Sequence, residues 1–270
     1  MSLLNTTKKM RIRFNDVFYN CNKRVEELGH FIDSYSPRSN LKMLEIGCGG
    51  GDVTSKFRDQ GFDCHGIDVE FKEGDKIESL INLGYVKKIG DTNLNRQTIS
   101  TNPDYKFPHD DETFNFAFSE STIEHVENIN EYVSENSRIL KKDAYCIHYF
   151  PSKFSIIEPH IGIPLGGIIH NKFYYFVMIK LGLSFPRYRH SNGHKECYDF
   201  IKFATFYRTK KEIINVFKEY SLAFICQCPE SVIEIKAHNG SKLAKIIMSS
   251  KVLIKLFAII RSNVYIFRKV

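Results

Sequence analysis

The sequence predicts an α/β protein built on a doubly wound, mostly parallel, seven-stranded sheet. Three observations carry this. Short apolar runs alternate with amphipathic stretches from residue 41 to about 150, and again after residue 209. Strands separated by helices pair in parallel, because each crossover returns the chain to the same end of the sheet. A glycine cluster follows the first of those strands directly, and acids (Glu45, Asp68 and Asp91) stand at the ends of three successive ones. That edge is where open α/β sheets bind ligands.

The elements follow in order. Cys21 to Tyr35 has helical spacing (Val25, Leu28, Phe31, Ile32), and Pro37 follows its end. Leu41 to Ile46 is the first strand. Asp52 to Gln60 is a helix closed by Gly61. Phe62 to Val69 is the second strand, Asp75 to Leu83 a helix and Tyr85 to Ile89 the third strand. Thr113 to Ser119 is the fourth strand, Ile129 to Leu140 a helix and Ala144 to Tyr149 the fifth strand. Residues 151–208 break this rhythm with aromatics, Pro, Gly and His; their one clear helical piece is Lys172 to Leu181. An insertion of this length reads as a substrate-binding cap or lid. Thr209 with Glu212 three residues on is a capping box, and its helix runs to about Tyr220. Leu222 to Cys228 is the sixth strand, Gly240 to Arg261 is helical, and Val264 to Phe267 is the last strand. The organisation is a core over 1–150, a cap over 151–208, and a return to the same sheet over 209–270.

Composition excludes several classes. The chain has 270 residues, 43 % hydrophobic and 26 % charged, which rules out wholesale disorder, collagen and coiled coil. The best membrane candidate, Ile246 to Ile260, is broken by Ser249, Ser250, Lys251 and Lys255. Residues 1–13 show no apolar stretch or cleavage pattern, so no secretory signal is expected. Seven cysteines at irregular spacing point to a reducing compartment, hence the cytoplasm, and no C-x-x-C suggests a zinc ribbon. Charge is split: residues 1–150 carry 19 Lys and Arg against 24 Asp and Glu, while residues 151–270 carry 19 against 7. The second half is expected to meet something anionic.

The loop Glu45-Ile-Gly-Cys-Gly-Gly-Gly51 lets the backbone turn sharply and a ligand approach without Cβ clashes. A G-x-G-x-x-G dinucleotide fingerprint would need glycine at position 52, which is Asp52. The ligand therefore lacks a phosphate there, or carries cationic groups. Asp68, about twenty residues on, is placed to accept hydrogen bonds from ribose hydroxyls.

On these pieces the sequence resembles the class I S-adenosylmethionine (SAM)-dependent methyltransferases, specifically the type-11 group. The resemblance also takes in Gly90-Asp91, Phe107-Pro-His-Asp-Asp-Glu-Thr-Phe-Asn-Phe116, Ile123-Glu-His-Val126 and Arg138-Ile-Leu-Lys141. It implies a Rossmann-like sheet with SAM as cofactor. Gly47, Gly49 and Gly51 would pack on the methionine part, Glu45 would orient the loop, Asp68 would hold the ribose, and Asp91 would face the adenine. Residues around Ser119 to Ser121 would line the donor pocket. Asn115 stands where the family usually has Asp, outside the expected cofactor contacts.

Transfer to an oxygen usually needs a general base. The candidates are His125, after the fourth strand, and His160, in the Pro- and Gly-stiffened run Glu158-Pro-His-Ile-Gly-Ile-Pro164. His190 and His194 stand behind them, with Arg187 and Arg189 offered to an anionic group. Asp110-Asp111-Glu112 read as a turn, so no metal is expected. The runs 158–164 and 263–269 resemble a subgroup associated with bacterial surface-polysaccharide biosynthesis, which implies O-methylation of a sugar hydroxyl. The expected partner is a small-molecule or glycan acceptor, anionic or lipid-linked. A quinone-like acceptor and a non-catalytic SAM-binding module are the alternatives; nucleic acid ranks behind both. Lysines and apolar residues over Lys242 to Arg261 read as two short helices breaking near Ser249-Ser250, able to touch an anionic membrane surface.

Overall fold

The computed structural model describes residues 41–90, 105–227, 241–260 and 263–270. Its sheet contains β1 (Lys42–Ile46), β2 (Asp63–Asp68), β3 (Val86–Lys88), β4 (Phe114–Glu120), β5 (Leu140–Phe150), β6 (Leu222–Gln227) and β7 (Asn263–Lys269), in the order β3-β2-β1-β4-β5-β7-β6. The first five strands are parallel. β7 slots between β5 and β6 and runs antiparallel to both. The predicted seven-stranded, mostly parallel sheet is therefore present. The expected helix over Cys21 to Tyr35 lies outside the described residues.

Alternation along the strands builds two apolar layers. Leu44, Ile46, Ile67, Ala117 and Cys146 face one side, under α3 (Ile129–Ile139) and α6 (Lys210–Glu219), which contribute Tyr132, Val133, Ile213 and Phe217. Met43, Cys64, Phe116, Phe118, Ile147 and Ile266 face the other, under α1 (Asp52–Asp59) with Val53 and Phe57. The period of two that sends neighbours such as Met43 and Leu44 to opposite faces is the strand pleat itself. α2 (Asp75–Asn82) covers the β2–β3 edge through Ile77 and Leu80. Arg138, near the end of α3, donates to Glu135, to Asp111 and to the carbonyls of Phe107 and His109. It thereby ties the chain entering β4 to α3.

The segment between β5 and α6 has its own apolar cluster: Ile161, Ile163, Tyr175, Cys197 and Ile201. Its helices are α4 (Lys172–Lys180) and α5 (Gly193–Ala204). The sequence reading gave only the first. Cys197 and Ile201, four residues apart, are the buried stripe of the second. The capping box at Thr209 forms as expected and starts α6. Beyond β6, α7 (Lys242–Met248) and α8 (Lys251–Ile260) break at Ser249 and Ser250, as predicted. No helix among the described residues is long and apolar enough to cross a membrane.

One polar group sits deep in this core. His148 on β5 is fully buried, with Nδ1 2.8 Å from Ser119 Oγ and 3.4 Å from Tyr132 OH. Burial pushes its imidazole down to about 3. The folded state therefore refuses a proton that the unfolded chain takes up below about 6.5. Stability from this residue is intact above that pH and is lost as pH falls toward 3, with a slope of up to about 1.4 kcal/mol per unit. Replacing His148 with Gln should flatten this acid slope. Urea midpoints of both proteins at pH 7 and pH 5 check it; equal acid losses in the two would refute it.

Candidate active site

A cavity of about 300 Å³ opens at the carboxyl ends of β1, β2 and β4. Its floor is the glycine turn. Gly47 has φ +81°, and its N–H and that of Cys48 donate to the Ile67 carbonyl at 2.8 and 3.1 Å. A Cβ at Gly47 would stand 2.2 Å from Thr122 Oγ1, so only glycine fits there. Thr122 is fixed in turn by donating to the Ile46 carbonyl at 3.1 Å. Gly49 N–H donates to Asp68 Oδ2 at 2.7 Å, while Asp68 Oδ1 accepts from the N–H groups of Val69 and Glu70 at 2.7 and 3.2 Å. Asp68 thus lines the cavity and pins the glycine turn to β2.

The other predicted donor residues are placed as follows. Glu45 is buried and accepts from Thr54 N–H at 2.9 Å and from Thr54 Oγ1 at 2.6 Å. It anchors the first turn of α1 behind the glycines. Gly51 caps α1 and packs against α2: a Cβ there would lie 2.5 Å from Leu80. It is not part of the cavity wall. Ser119 is also absent from that wall, because the strand pleat turns its hydroxyl into the core toward His148. Glu120, Ser121 and Thr122, the next three residues, line the cavity instead. Asp91 lies outside the described residues.

His125 lines one end of the cavity, and His160, behind it and not part of the cavity wall, packs against it with ring centroids 4.9 Å apart and planes at 73°. His125 sits in a 3₁₀ turn (Ile123–His125) anchored by buried Ile123. The chain leaving α5 clamps this turn. Phe206 N–H donates to the Glu124 carbonyl at 2.7 Å, and Arg208 reaches the Glu127 carbonyl at 2.6 Å. His125 Nδ1 lies 2.6 Å from the Ala204 carbonyl. A carbonyl only accepts, so Nδ1 carries a proton, and in the neutral ring the lone pair is then on Nε2.

His160 is held by Glu158. One Glu158 oxygen accepts from the N–H groups of His160 and Ile161, each at 2.7 Å. The other accepts from His160 Nδ1 at 2.8 Å and from Tyr207 OH. Burial by itself would raise the Glu158 carboxyl, but these donors outweigh it and hold the group below its ordinary range. His160 Nε2 points toward Glu124, 3.9 Å from Oε1. Glu124 is fully buried, and burial raises its carboxyl to about 8. Tyr207, 49 residues from Glu158, was not visible as a site residue in the sequence.

The secondary candidates have other occupations. Arg187 donates to the His160 carbonyl at 2.5 Å, and Arg189 to the carbonyls of Ser184 and Gly182, both at 2.7 Å. Both arginines brace the segment, so neither is simply held out for an anion. His190 lies 3.2 Å from Glu196, and His194 packs edge-on to Phe176. Asp110 to Glu112 form a turn in which Asp111 pairs with Arg138 at 2.8 Å.

A family model described as a methyltransferase domain matches residues 16–223. The chain belongs to that methyltransferase family. No curated protein matches it. Among solved structures, a SAM-dependent methyltransferase from Mesorhizobium loti is 11 % identical, covers 93 % of this chain and 100 % of its own, and gives a TM-score of 0.52. That likeness agrees with the fold. A SAM-dependent methyltransferase from Methanosarcina mazei is 18 % identical over 88 % of this chain and 96 % of its own, with a TM-score of 0.48. Geranyl diphosphate C-methyltransferase from Streptomyces coelicolor is 14 % identical over 92 % and 85 %, with a TM-score of 0.47. The cofactor of this methyltransferase is S-adenosylmethionine. Its residues fit that molecule: Asp68, Glu120 and Glu131 put carboxylates around the cavity, which suits a ligand bearing a sulfonium and an ammonium. The glycine edge leaves its backbone open to close approach.

Proposed function

We propose that this methyltransferase acts on an acceptor hydroxyl that meets His125 and His160, with the donor held by Gly47, Gly49 and Asp68 and their support from Glu45 and Gly51. The observation that supports this is the contact between His125, which lines one end of the donor cavity, and His160 packed against it, each ring anchored through Nδ1. S-adenosylmethionine supplies an activated methyl group. The chain must hold the acceptor oxygen in line with it and manage the hydroxyl proton. Anchoring on the Nδ1 side gives each ring a set orientation for that task. The acceptor we favour is a sugar hydroxyl of a surface-polysaccharide intermediate, supported by the resemblance of residues 158–164 and 263–269. The test is transfer of labelled methyl from SAM to nucleotide-sugars and lipid-linked glycans. Labelled product whose ether oxygen is a sugar hydroxyl would support the reading; transfer only to nitrogen, carbon or sulfur acceptors would end it.

The lipid-linked form of this acceptor has support of its own. Lys153, Lys210, Lys211, Lys251 and Lys255 line a groove of about 880 Å³ beside α8, and no acid lines it among the described residues. Leu243, Ile246, Val252 and Leu256 are exposed on the adjoining helices. Cations over apolar side chains suit an anionic membrane surface. Cosedimentation with liposomes should rise with anionic lipid and fall with salt. Equal recovery with neutral and anionic vesicles would refute the contact.

A further inference from the structure

We propose that Glu124, His125 and His160 form a divalent-cation site beside the end of the cavity that His125 lines. One ligand atom from each of the three lies within 4.8 Å of the other two. Ligands about 2.0–2.1 Å from a tetrahedral ion stand roughly 3.4 Å apart, so shifts of about 1 Å would close the set. No other such group converges among the described residues.

A second, independent observation concerns Glu124. Its side chain is fully buried, and among the described residues no other residue donates a hydrogen bond to either carboxyl oxygen. A carboxyl buried without donors is costly, and a cation between it and the two rings would satisfy both oxygens' electrostatics. The Oε1 atom already faces His160 Nε2 at 3.9 Å.

The imidazoles are also dressed as ligands usually are. A metal-binding histidine commonly donates its other N–H to a carboxylate or a backbone carbonyl, which fixes the ring and raises its basicity. His160 Nδ1 is on Glu158 and His125 Nδ1 is on the Ala204 carbonyl. Two imidazoles and one carboxylate, with open positions left over, suit zinc, cobalt, iron(II) or nickel better than magnesium or calcium. The expectation of no metal rested on the acids at 110–112; this group joins residues 35 apart in the chain, on two different loops. With the ring lone pairs on the ion, the two histidines would act through it: an acceptor oxygen in an open position would be held beside His125 and would give up its proton more readily. That use rests on the proposed function; the binding of the ion does not.

The test is direct. Chelator-treated protein is titrated with Zn²⁺ by calorimetry and with Co²⁺ by visible absorption. The expected result is one ion per chain, with cobalt ligand-field bands. Glu124→Gln and His160→Ala should each weaken binding at least about 10-fold, while His170→Ala, outside the group, should not. SAM titration of the same variants confirms that they remain folded. No stoichiometric ion in the parent protein, or equal affinity in all variants, overturns the site. Ion binding that the variants lose, in a protein that methylates no hydroxyl, would keep the site and overturn the proposed function instead.

Discussion

Replacing His160 with Ala should lower kcat for methyl transfer by about 10²- to 10⁴-fold, the range expected when a group that manages proton transfer is removed. SAM affinity should change little, because His160 is not among the residues lining the cavity. This separation makes the prediction sharp: turnover falls and donor binding stays. Two further variants refine it. Glu158→Gln keeps a side chain of similar size but removes the carboxylate that receives His160 Nδ1 and two backbone N–H groups. Tyr207→Phe removes one donor to the same carboxylate. Both act through His160, so each should cost less in kcat than His160→Ala, and both should shift the pH profile of turnover. Single-turnover rates with saturating SAM check all three. An unchanged rate in His160→Ala would remove that residue from the chemistry.

The second large effect is expected at Asp68. Its carboxylate holds the glycine turn as well as facing the cavity. Asp68→Ala should weaken SAM binding about 10- to 100-fold, as expected for loss of one or two hydrogen bonds to a charged group. Asp68→Asn retains an oxygen that can accept from Gly49 N–H, so it should fall between Ala and the parent. Calorimetric titration with SAM and S-adenosylhomocysteine measures both. Parent-like affinity in Asp68→Ala would show that the donor does not depend on this acid.

Much of this was legible in the sequence because its signals are local. Glycines after a strand and an acid at the end of the next strand declare a ligand edge within about twenty residues, and the alternation of strands and helices declares the sheet. Other features are set by meetings across the chain. Ser119 is expected in the pocket only through the family resemblance, and the strand pleat turns it toward His148 instead. The third acid, Asp91, lies outside the described residues. α5 was missed because Tyr198, Phe200 and Phe203 obscure a stripe that only Cys197 and Ile201 define. The link from Glu158 to Tyr207 spans 49 residues and has no periodic signature at all. Local spacing reveals where a ligand edge is; it does not reveal which distant side chains will hold a histidine in place.

The segment between β5 and α6 carries a consequence for how such an enzyme can change. It leaves the sheet at Phe150 and ends where α6 begins at Lys210, and residues from both junctions border the same groove. Its apolar cluster is its own. Closing a longer or shorter excursion between two neighbouring anchor points costs free energy only in proportion to the logarithm of its length. Descendants of this chain can therefore lengthen or shorten the parts of the excursion away from Glu158, His160 and Tyr207 while the glycine turn and Asp68 stay as they are. On the proposed function, recognition of the acceptor can then drift under selection separately from recognition of the donor.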